Sequence, residues 1–386
     1  MSQAQEEKTV IPPYFQTNTM YCGDCLDVMK KFPDECVDLI YLDPPFFSNK
    51  NYEVIWGDGY ELRAFQDRWK GGVENYIAWM RPRLQQCYRV LKKTGSIYLH
   101  CDWHANAHLR ILMDDIFGEN NFQNEIIWHY GLGGSSPRRW AAKHDNIYFY
   151  TKTDEWFFDP LMKPATSQRM KGELKKWDDV WDIPTINNMA KERMGYPTQK
   201  PEALLEAIIS ASSKPMDIVL DPFCGCGTAI AAAHKLGRRW VGIDVSPTAC
   251  NLMSNRMLSL RAQVNLVGMP MTEDELKKIQ PFDFQNWVVQ RLFGRVSSKK
   301  TSDLGIDGYT TEGYPIQVKQ SEGVGRNVVD NFETAMRRNG ANTGIIVAFS
   351  FGKGSYEEAA RAKNKENMDI RLITVSELLK NEQKTD

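Results

Sequence analysis

No run of about 18 apolar residues occurs anywhere in the 386-residue chain, which excludes a helical membrane span as the organising feature. The opening stretch MSQAQEEKTVIPPY lacks a basic segment followed by an apolar one, so a cytoplasmic protein is expected. Excess charge of one sign is also missing. Lys and Arg total 48 against 49 Asp and Glu, so any attraction to a polyanion must come from local patches. The eight cysteines do not form a metal framework. Cys22-Gly-Asp-Cys25 and Cys224-Gly-Cys226 each want two further ligands, and His100, His104, His108 and His234 supply no matching set. Reduced, buried thiols beside glycine loops are expected instead. Repeats and low-complexity tracts are absent.

What is present is alternation. From residue 19 to about 260, strand, turn and helix signals follow one another in the manner of an α/β domain. Strands are expected at Val37 to Leu42, Ser96 to Cys101, Asp217 to Leu220 and Arg239 to Ile243. A long helix over Val73 to Leu91 is expected to stop at Lys92-Lys93-Thr94-Gly95, with Gly95 in a left-handed cap. The alternation breaks down over 152–195, where Trp156, Trp177 and Trp181 sit among lysines. Residues 262–280 read as a connector, and 281–386 have the rhythm of a second, smaller α/β domain. The chain therefore divides as 1–261, a linker over 262–280, and 281–386. Basic clusters lie at Arg138, Arg139 and Lys143, at Lys163, Arg169, Lys171, Lys175 and Lys176, and at Arg295, Lys299 and Lys300. Solvated faces are their ordinary explanation.

Chemistry concentrates in two stretches of the first domain. In Val219-Leu220-Asp221-Pro222-Phe223-Cys224-Gly225-Cys226-Gly227-Thr228 an apolar strand meets a glycine turn that opens a helix, so backbone amides are offered to a ligand. The next strand ends on Asp244, placed to accept from ribose hydroxyls. No third glycine completes the dinucleotide pattern, and Asp221 would repel a pyrophosphate. That carboxylate suits a cation, which favours S-adenosylmethionine over a dinucleotide.

The second stretch is Asp43-Pro44-Pro45-Phe46, at the end of an apolar strand. An exocyclic amine of adenine or cytosine is a poor nucleophile and needs acceptors for both its hydrogens as it becomes tetrahedral. Asp43 can be one, and the carbonyl of Pro44, stiffened by Pro45, the other. Phe46 offers a face on which a flipped base can stack.

These motifs in this order, with Tyr196-Pro197-Thr198-Gln199-Lys200-Pro201 just upstream of the glycine turn, resemble the amino-group DNA methyltransferases of the β order over about residues 19 to 260. The resemblance implies a Rossmann-like class I fold, S-adenosylmethionine as methyl donor and double-stranded DNA as substrate. It also implies that Gly23, Asp24 and Cys25 face the cofactor's adenine, and that Thr198, Lys200 and Pro201 border its methionine end. Residues 152–195 would read the target sequence, and the loop 47–72 would order on DNA. Relatives acting on cytosine N4 usually carry serine where Asp43 stands, so adenine N6 is favoured, with cytosine N4 as the alternative. Cytosine C5 chemistry needs a cysteine nucleophile that the motif lacks.

In the C-terminal segment, Asp307 precedes Pro315-Ile316-Gln317-Val318-Lys319. Two strands would bring Asp307 to hold a divalent cation, Mg2+, beside Lys319, which would orient water. This resembles the catalytic core of Mrr-type restriction endonucleases over about 281 to 378. Two departures are Gln317, where many nuclease folds have an acid, and Gln285, where an added acid often helps to hold metal. An active nuclease and a DNA-binding relic both remain open, as does a homodimer. A DNA-binding regulator with vestigial sites is the reading without catalysis.

Overall fold

The computed structural model describes residues 14–47, 72–131, 137–166, 168–187, 190, 192–194, 199–292, 294–297 and 305–380. The chain divides into two compact units, the first running to Met269 apart from short segments, the second comprising Pro270 onward with Ser246–Thr248.

Nine strands form the sheet of the first unit. In chain order they are β1 (Thr19–Cys22), β2 (Val37–Leu42), β3 (Leu91–Cys101), β4 (Phe122–His129), β5 (His144–Thr151), β8 (Val180–Asp182), β9 (Ile218–Asp221), β10 (Arg239–Asp244) and β11 (Asn265–Val267), with β6 (Met162–Pro164) and β7 (Leu174–Lys176) as a separate pair. The spatial order is β11-β1-β10-β9-β2-β3-β5-β4-β8. The run from β11 to β3 is parallel throughout. β5 then runs antiparallel between β3 and β4.

The central strands read as unbroken apolar runs because both faces are covered. Ile40 and Leu42 point into one cluster, Leu39 and Tyr41 into the other. The helices α1 (Cys25–Met29), α2 (Val73–Val90) and α3 (Asn106–Phe117) pack on the first face. On the second lie α4 (Glu202–Ser212), α5 (Thr228–Lys235) and α6 (Pro247–Ser259). In α2 the buried residues Tyr76, Met80, Leu84 and Cys87 recur at helical spacing, which is what commits that face to the sheet. The result is a doubly wound, Rossmann-like unit.

Two expectations are corrected here. Gly95 is not a helix cap, since α2 ends at Val90 and the chain enters β3 at once. The pairing with β2 jumps from Val37 opposite Leu91 to Leu39 opposite Ser96, so Lys92 to Gly95 form a bulge in the strand. Glycine is needed there for space, because a Cβ would lie 2.5 Å from the Leu91 side chain. The stretch 262–280 is also not bare connector. It contains β11, which pairs with β1, and α7 (Glu273–Leu276), closed by a capping box between Thr272 and Glu275.

The second unit has a five-stranded sheet of β12 (Arg295–Val296), β13 (Gly308–Tyr309), β14 (Pro315–Lys319), β15 (Thr343–Ala348) and β16 (Asp369–Thr374), in that order. β12 to β14 are antiparallel neighbours and β14 to β16 parallel ones. α8 (Pro281–Arg291) and α11 (Val375–Lys380) cover Ile345 and Val347 on one face. α9 (Arg326–Arg338) and α10 (Lys353–Glu366) cover Ile346 on the other.

Candidate active site

The parallel strands deliver their carboxyl ends to one rim. β9 pairs with β2 through Val219 opposite Leu39 and Leu220 opposite Ile40, so Asp221 and Asp43 emerge side by side from strands far apart in the chain. β10 places Gly242 opposite Asp221, and β1 places Cys22 opposite Asp244. The glycine turn, the Asp43-Pro44-Pro45-Phe46 motif and the turn after β1 thus share one edge of the sheet, where open α/β sheets bind their ligands.

The glycine turn is held by its own backbone. Gly225 and Gly227 both take left-handed φ, +50° and +75°. The Gly225 N–H donates to the Asp244 carboxylate at 2.8 Å, and the Phe223 N–H donates to the Asp221 carboxylate at 3.0 Å. A Cβ on Gly227 would sit 2.3 Å from Met253 Cγ, so packing against α6 requires glycine here, as does the left-handed backbone. Arg256 of α6 lies beneath the turn. It donates to the Cys226 carbonyl at 3.2 Å, to the Thr228 hydroxyl at 3.3 Å and to the Glu202 carboxylate at 2.7 Å. The Thr228 side chain is therefore directed inward, away from the pocket. Pro201 caps α4 with extended backbone and places Glu202 in its first turn, so Arg256 ties the segment carrying Lys200 to the glycine turn.

Asp24 caps α1, accepting from the Leu26 N–H at 2.9 Å and from Arg83 at 2.6 Å. Arg83 in turn lies 3.9 Å from the Trp79 ring centre, and Trp79 stands 5.8 Å from Phe223. Cys25 is buried in the core, and burial pushes its thiol up to about 12 despite Arg83. Its side chain is a packing group, so Cys25 can meet a ligand only through its backbone.

Asp43 is 18% exposed and forms an ion pair with Lys200, itself 11% exposed. The Lys200 ammonium also lies 5.2 Å from the Phe46 ring centre. On the other side of Asp43 is a group that sequence reasoning missed. His100 is wholly buried at the end of β3, with Nδ1 4.0 Å from the Asp43 carboxylate and 2.9 Å from the Tyr41 hydroxyl. Its Nε2 is 3.3 Å from Asp145. Burial raises the Tyr41 phenol well above its ordinary range, with Asp43, Asp221 and Asp145 adding to the effect. Tyr41 therefore stays a neutral phenol hydrogen-bonded to Nδ1, with Asp145 on the Nε2 side of the ring. Trp128 and Phe46 close over the imidazole at 5.4 and 5.7 Å. The available signal was a histidine ending an apolar parallel strand, but its partners come from β2 and β5.

Burial also raises Asp221 well above the usual carboxylate range; the Phe223 N–H and Lys200 oppose the rise, and Asp43 and Asp244 add to it. Three acids on adjacent strand ends fit a cationic ligand. Thr198 and the loop residues 48–71 lie outside the described residues. A separate cavity of about 660 Å³, lined by Asp38, Thr94, Trp156 and Lys214 among others, lies at the opposite, amino-terminal ends of β2 and β9.

The hairpin joining β4 to β5 rises from the same rim, because β4 runs parallel to β3. It carries Trp140, 97% exposed, beside exposed Arg138 and Arg139. In 152–195 the expected DNA readers are partly engaged elsewhere. Trp177 and Trp181 pack edge to face at 5.7 Å, the Trp181 indole donates to the Asp178 carbonyl, and Lys163 and Lys175 both pair with Asp178. Arg169, Lys171 and Lys176 stay exposed.

In the second unit, the Asp307 carboxylate accepts from the Val318 N–H at 2.6 Å, while Gln285 donates to its backbone carbonyl at 3.1 Å. Gln317 is buried with no hydrogen-bond partner for its amide oxygen among the described residues, and Lys319 is half-buried at the end of β14. Asp307, immediately before β13, is thus brought beside β14, the strand that carries Gln317 and Lys319. Among the described residues, three carboxylates converge instead at Asp330, Glu333 and Glu358, where Arg326, Arg337 and Arg361 neutralise them.

Residues 37–255 match the N6/N4 family described as DNA methylase, and residues 276–381 match the family described as restriction endonuclease. The chain is 32% identical over 248 residues to the DNA adenine methyltransferase YhdJ of Escherichia coli, covering 60% of this chain and 79% of that one. It is 31% identical over 255 residues to the Type II methyltransferase M.BglII of Bacillus subtilis, covering 60% of this chain and 67% of that one. Solved structures that match include a DNA modification methylase from Thermus thermophilus, at 21% identity and TM-score 0.46 over 65% of this chain and 99% of that one. The PvuII DNA methyltransferase, cytosine-N4-specific, matches at 18% identity and TM-score 0.47 over 65% and 97%. With more than half of its length matched to that family, and a rim that gathers both of its motifs, the chain belongs to the N6/N4 DNA methylases and carries a restriction-endonuclease-like segment C-terminal to the methylase unit.

Proposed function

We propose that the chain transfers a methyl group from S-adenosylmethionine to N6 of adenine in double-stranded DNA. The observation that supports this reading best is the pairing of β2 with β9, which sets Asp43 beside the glycine turn. S-adenosylmethionine supplies, when bound, an electrophilic methyl group on a sulfonium. The residues that fit it are Asp221 and Asp244 at the rim, the backbone of the turn after β1, Phe223, Pro201 and Lys200, with Gly225, Gly227 and Thr228 shaping the turn.

Asp43 accepts a hydrogen from the adenine amino group, which keeps electron density on N6 as the nitrogen becomes tetrahedral, and it takes the proton that nitrogen sheds. The Pro44 carbonyl accepts the second hydrogen. Phe46 stacks on the flipped ring, and exclusion of water strengthens both hydrogen bonds. His100, held by Tyr41 and Asp145, lies against the flank of Asp43, 4.0 Å from its carboxylate, and limits the space into which that side chain can move. Around this centre, Arg138, Arg139 and Trp140 meet the duplex, and residues 152–195 contribute target recognition through the exposed Arg169, Lys171 and Lys176. The aspartate of the motif favours adenine, and one relative, YhdJ, is named an adenine methyltransferase; the alternative is cytosine N4.

The second unit contacts the same DNA. A divalent cation, Mg2+, would be held by Asp307 and the amide oxygen of Gln317, which has no hydrogen-bond partner among the described residues, with Lys319 beside it. A cytoplasmic setting and a homodimer complete the proposal; no helix among the described residues is long and apolar enough to cross a membrane.

Duplex DNA incubated with labelled S-adenosylmethionine and digested to nucleosides should yield labelled N6-methyladenine. Asp43→Ala should lose at least a hundredfold in methyl transfer while binding the cofactor normally by calorimetry. Label on N4-methylcytosine would overturn the base assignment, and loss of cofactor binding in Asp43→Ala would overturn the division of the pocket. Asp307→Ala combined with Lys319→Ala should abolish Mg2+-dependent cleavage and leave methyl transfer unchanged; equal cleavage by this variant would refute the second site.

A further inference from the structure

Lys200 stands where the substrate base has to go. Its ammonium pairs with the Asp43 carboxylate and lies 5.2 Å from the centre of the Phe46 ring. These are the hydrogen-bond acceptor and the stacking face that a flipped adenine requires, so one cation occupies both. The contact is sheltered, with Lys200 11% and Asp43 18% exposed, and a sheltered pair of opposite charges does not yield to a neutral amino group without compensation. Compensation exists in the cofactor, whose methionine end carries a carboxylate. Pro201 is fixed at the cap of α4, so the backbone is anchored. The flexible four-carbon stem of Lys200 can swing its charge to a second anion without moving the helix.

We infer that Lys200 is a plug of the base pocket which the cofactor's carboxylate withdraws, so that base flipping is coupled to cofactor binding. The inference rests on the methyltransferase reading above and assigns to Lys200 a positioning role in the order of binding. By linkage, the factor by which cofactor favours the flipped base equals the factor by which the flipped base favours cofactor.

The test uses the full-length protein and a duplex with 2-aminopurine at the adenine that the methyl label identifies, since this base brightens on unstacking. Wild type should flip poorly alone and about tenfold more with S-adenosylhomocysteine, which retains the carboxylate. 5′-Methylthioadenosine keeps the adenosine and sulfur but lacks the carboxylate; at concentrations where calorimetry shows the site filled it should leave the base stacked. Lys200→Met should flip equally with and without either ligand. Equal flipping by wild type without cofactor, equal action of the two ligands, or a Lys200→Met variant that still needs cofactor would each overturn the inference. The two-ligand comparison in wild type stands even if Lys200→Met proves unstable. Failure of the parent reading shows separately, as absence of label in adenine from wild type.

Discussion

Replacing Arg256 with methionine removes a charge while keeping most of the side-chain volume. Arg256 is 5% exposed, and its guanidinium joins three partners: Glu202 on α4, the Cys226 carbonyl in the glycine turn and the Thr228 hydroxyl at the start of α5. Breaking a buried ion pair by deleting one member costs about 3–5 kcal/mol. Here Glu202 keeps Lys235 as a second partner and retains 15% exposure, so we expect the lower side, about 2–3 kcal/mol. For a unit of this size that lowers Tm by about 4–12 °C. Urea unfolding should show a lower midpoint with unchanged slope, because the surface exposed on unfolding does not change. The loss should depend on pH. Burial raises the Glu202 carboxyl, but the hydrogen bonds from Lys235 and Arg256 outweigh it and hold the group below its ordinary value. A depressed carboxylate stabilises above its unfolded pKa and ceases to do so as pH falls through the folded one. The difference between wild type and Arg256→Met should therefore be full at pH 7 and shrink in acid. Cofactor affinity should fall as well, since the Cys226 carbonyl loses its anchor. A variant within about 0.5 kcal/mol of wild type at pH 7, or a difference that grows in acid, would refute the argument.

Gly227→Ala should destabilise by about 2–4 kcal/mol, from the left-handed backbone and from Met253, which would have to move; circular dichroism melts check this, and an unshifted melt would show that α6 gives way freely. His100→Asn should leave the Tyr41 hydroxyl or Asp145 without its partner, lowering stability by about 1–3 kcal/mol. The same variant should slow single-turnover methyl transfer at least tenfold with cofactor binding unchanged, and an unaltered rate would remove His100 from the machinery.

Several elements were legible because their causes are local. The helix Glu202–Ser212 falls where the spacing of its apolar residues and the proline before it place it. The strands β2, β9 and β10 announce themselves as short apolar runs bounded by acids and glycines. Gly95 was misread because a glycine after lysines looks the same whether it caps a helix or relieves a bulge, and only the Leu91 side chain decides. β8 and β11, three residues each, carry no periodicity and exist because the edges of a sheet offer unpaired backbone groups. Trp177 and Trp181 read as isolated aromatics among lysines, and only the fold shows that their rings meet edge to face.

The chemical vocabulary of this protein was settled by the sequence. Asp43-Pro44-Pro45-Phe46 and Gly225-Cys226-Gly227 are contiguous, and the roles open to them follow from residue types and the strand ends they occupy. What only the tertiary structure decided is which groups share a site. Insertion of β9 and β10 between β1 and β2 brings Asp43, Asp221 and Asp244 to one rim, and it is that nearness that lifts Asp221 further. His100 gains Tyr41 and Asp145, Glu202 gains Arg256, and Lys200 finds Asp43, all through contacts between residues distant in the chain. Charge and hydrogen-bond energies act over a few ångströms of space regardless of sequence separation, so these partnerships exist only once the sheet has been assembled.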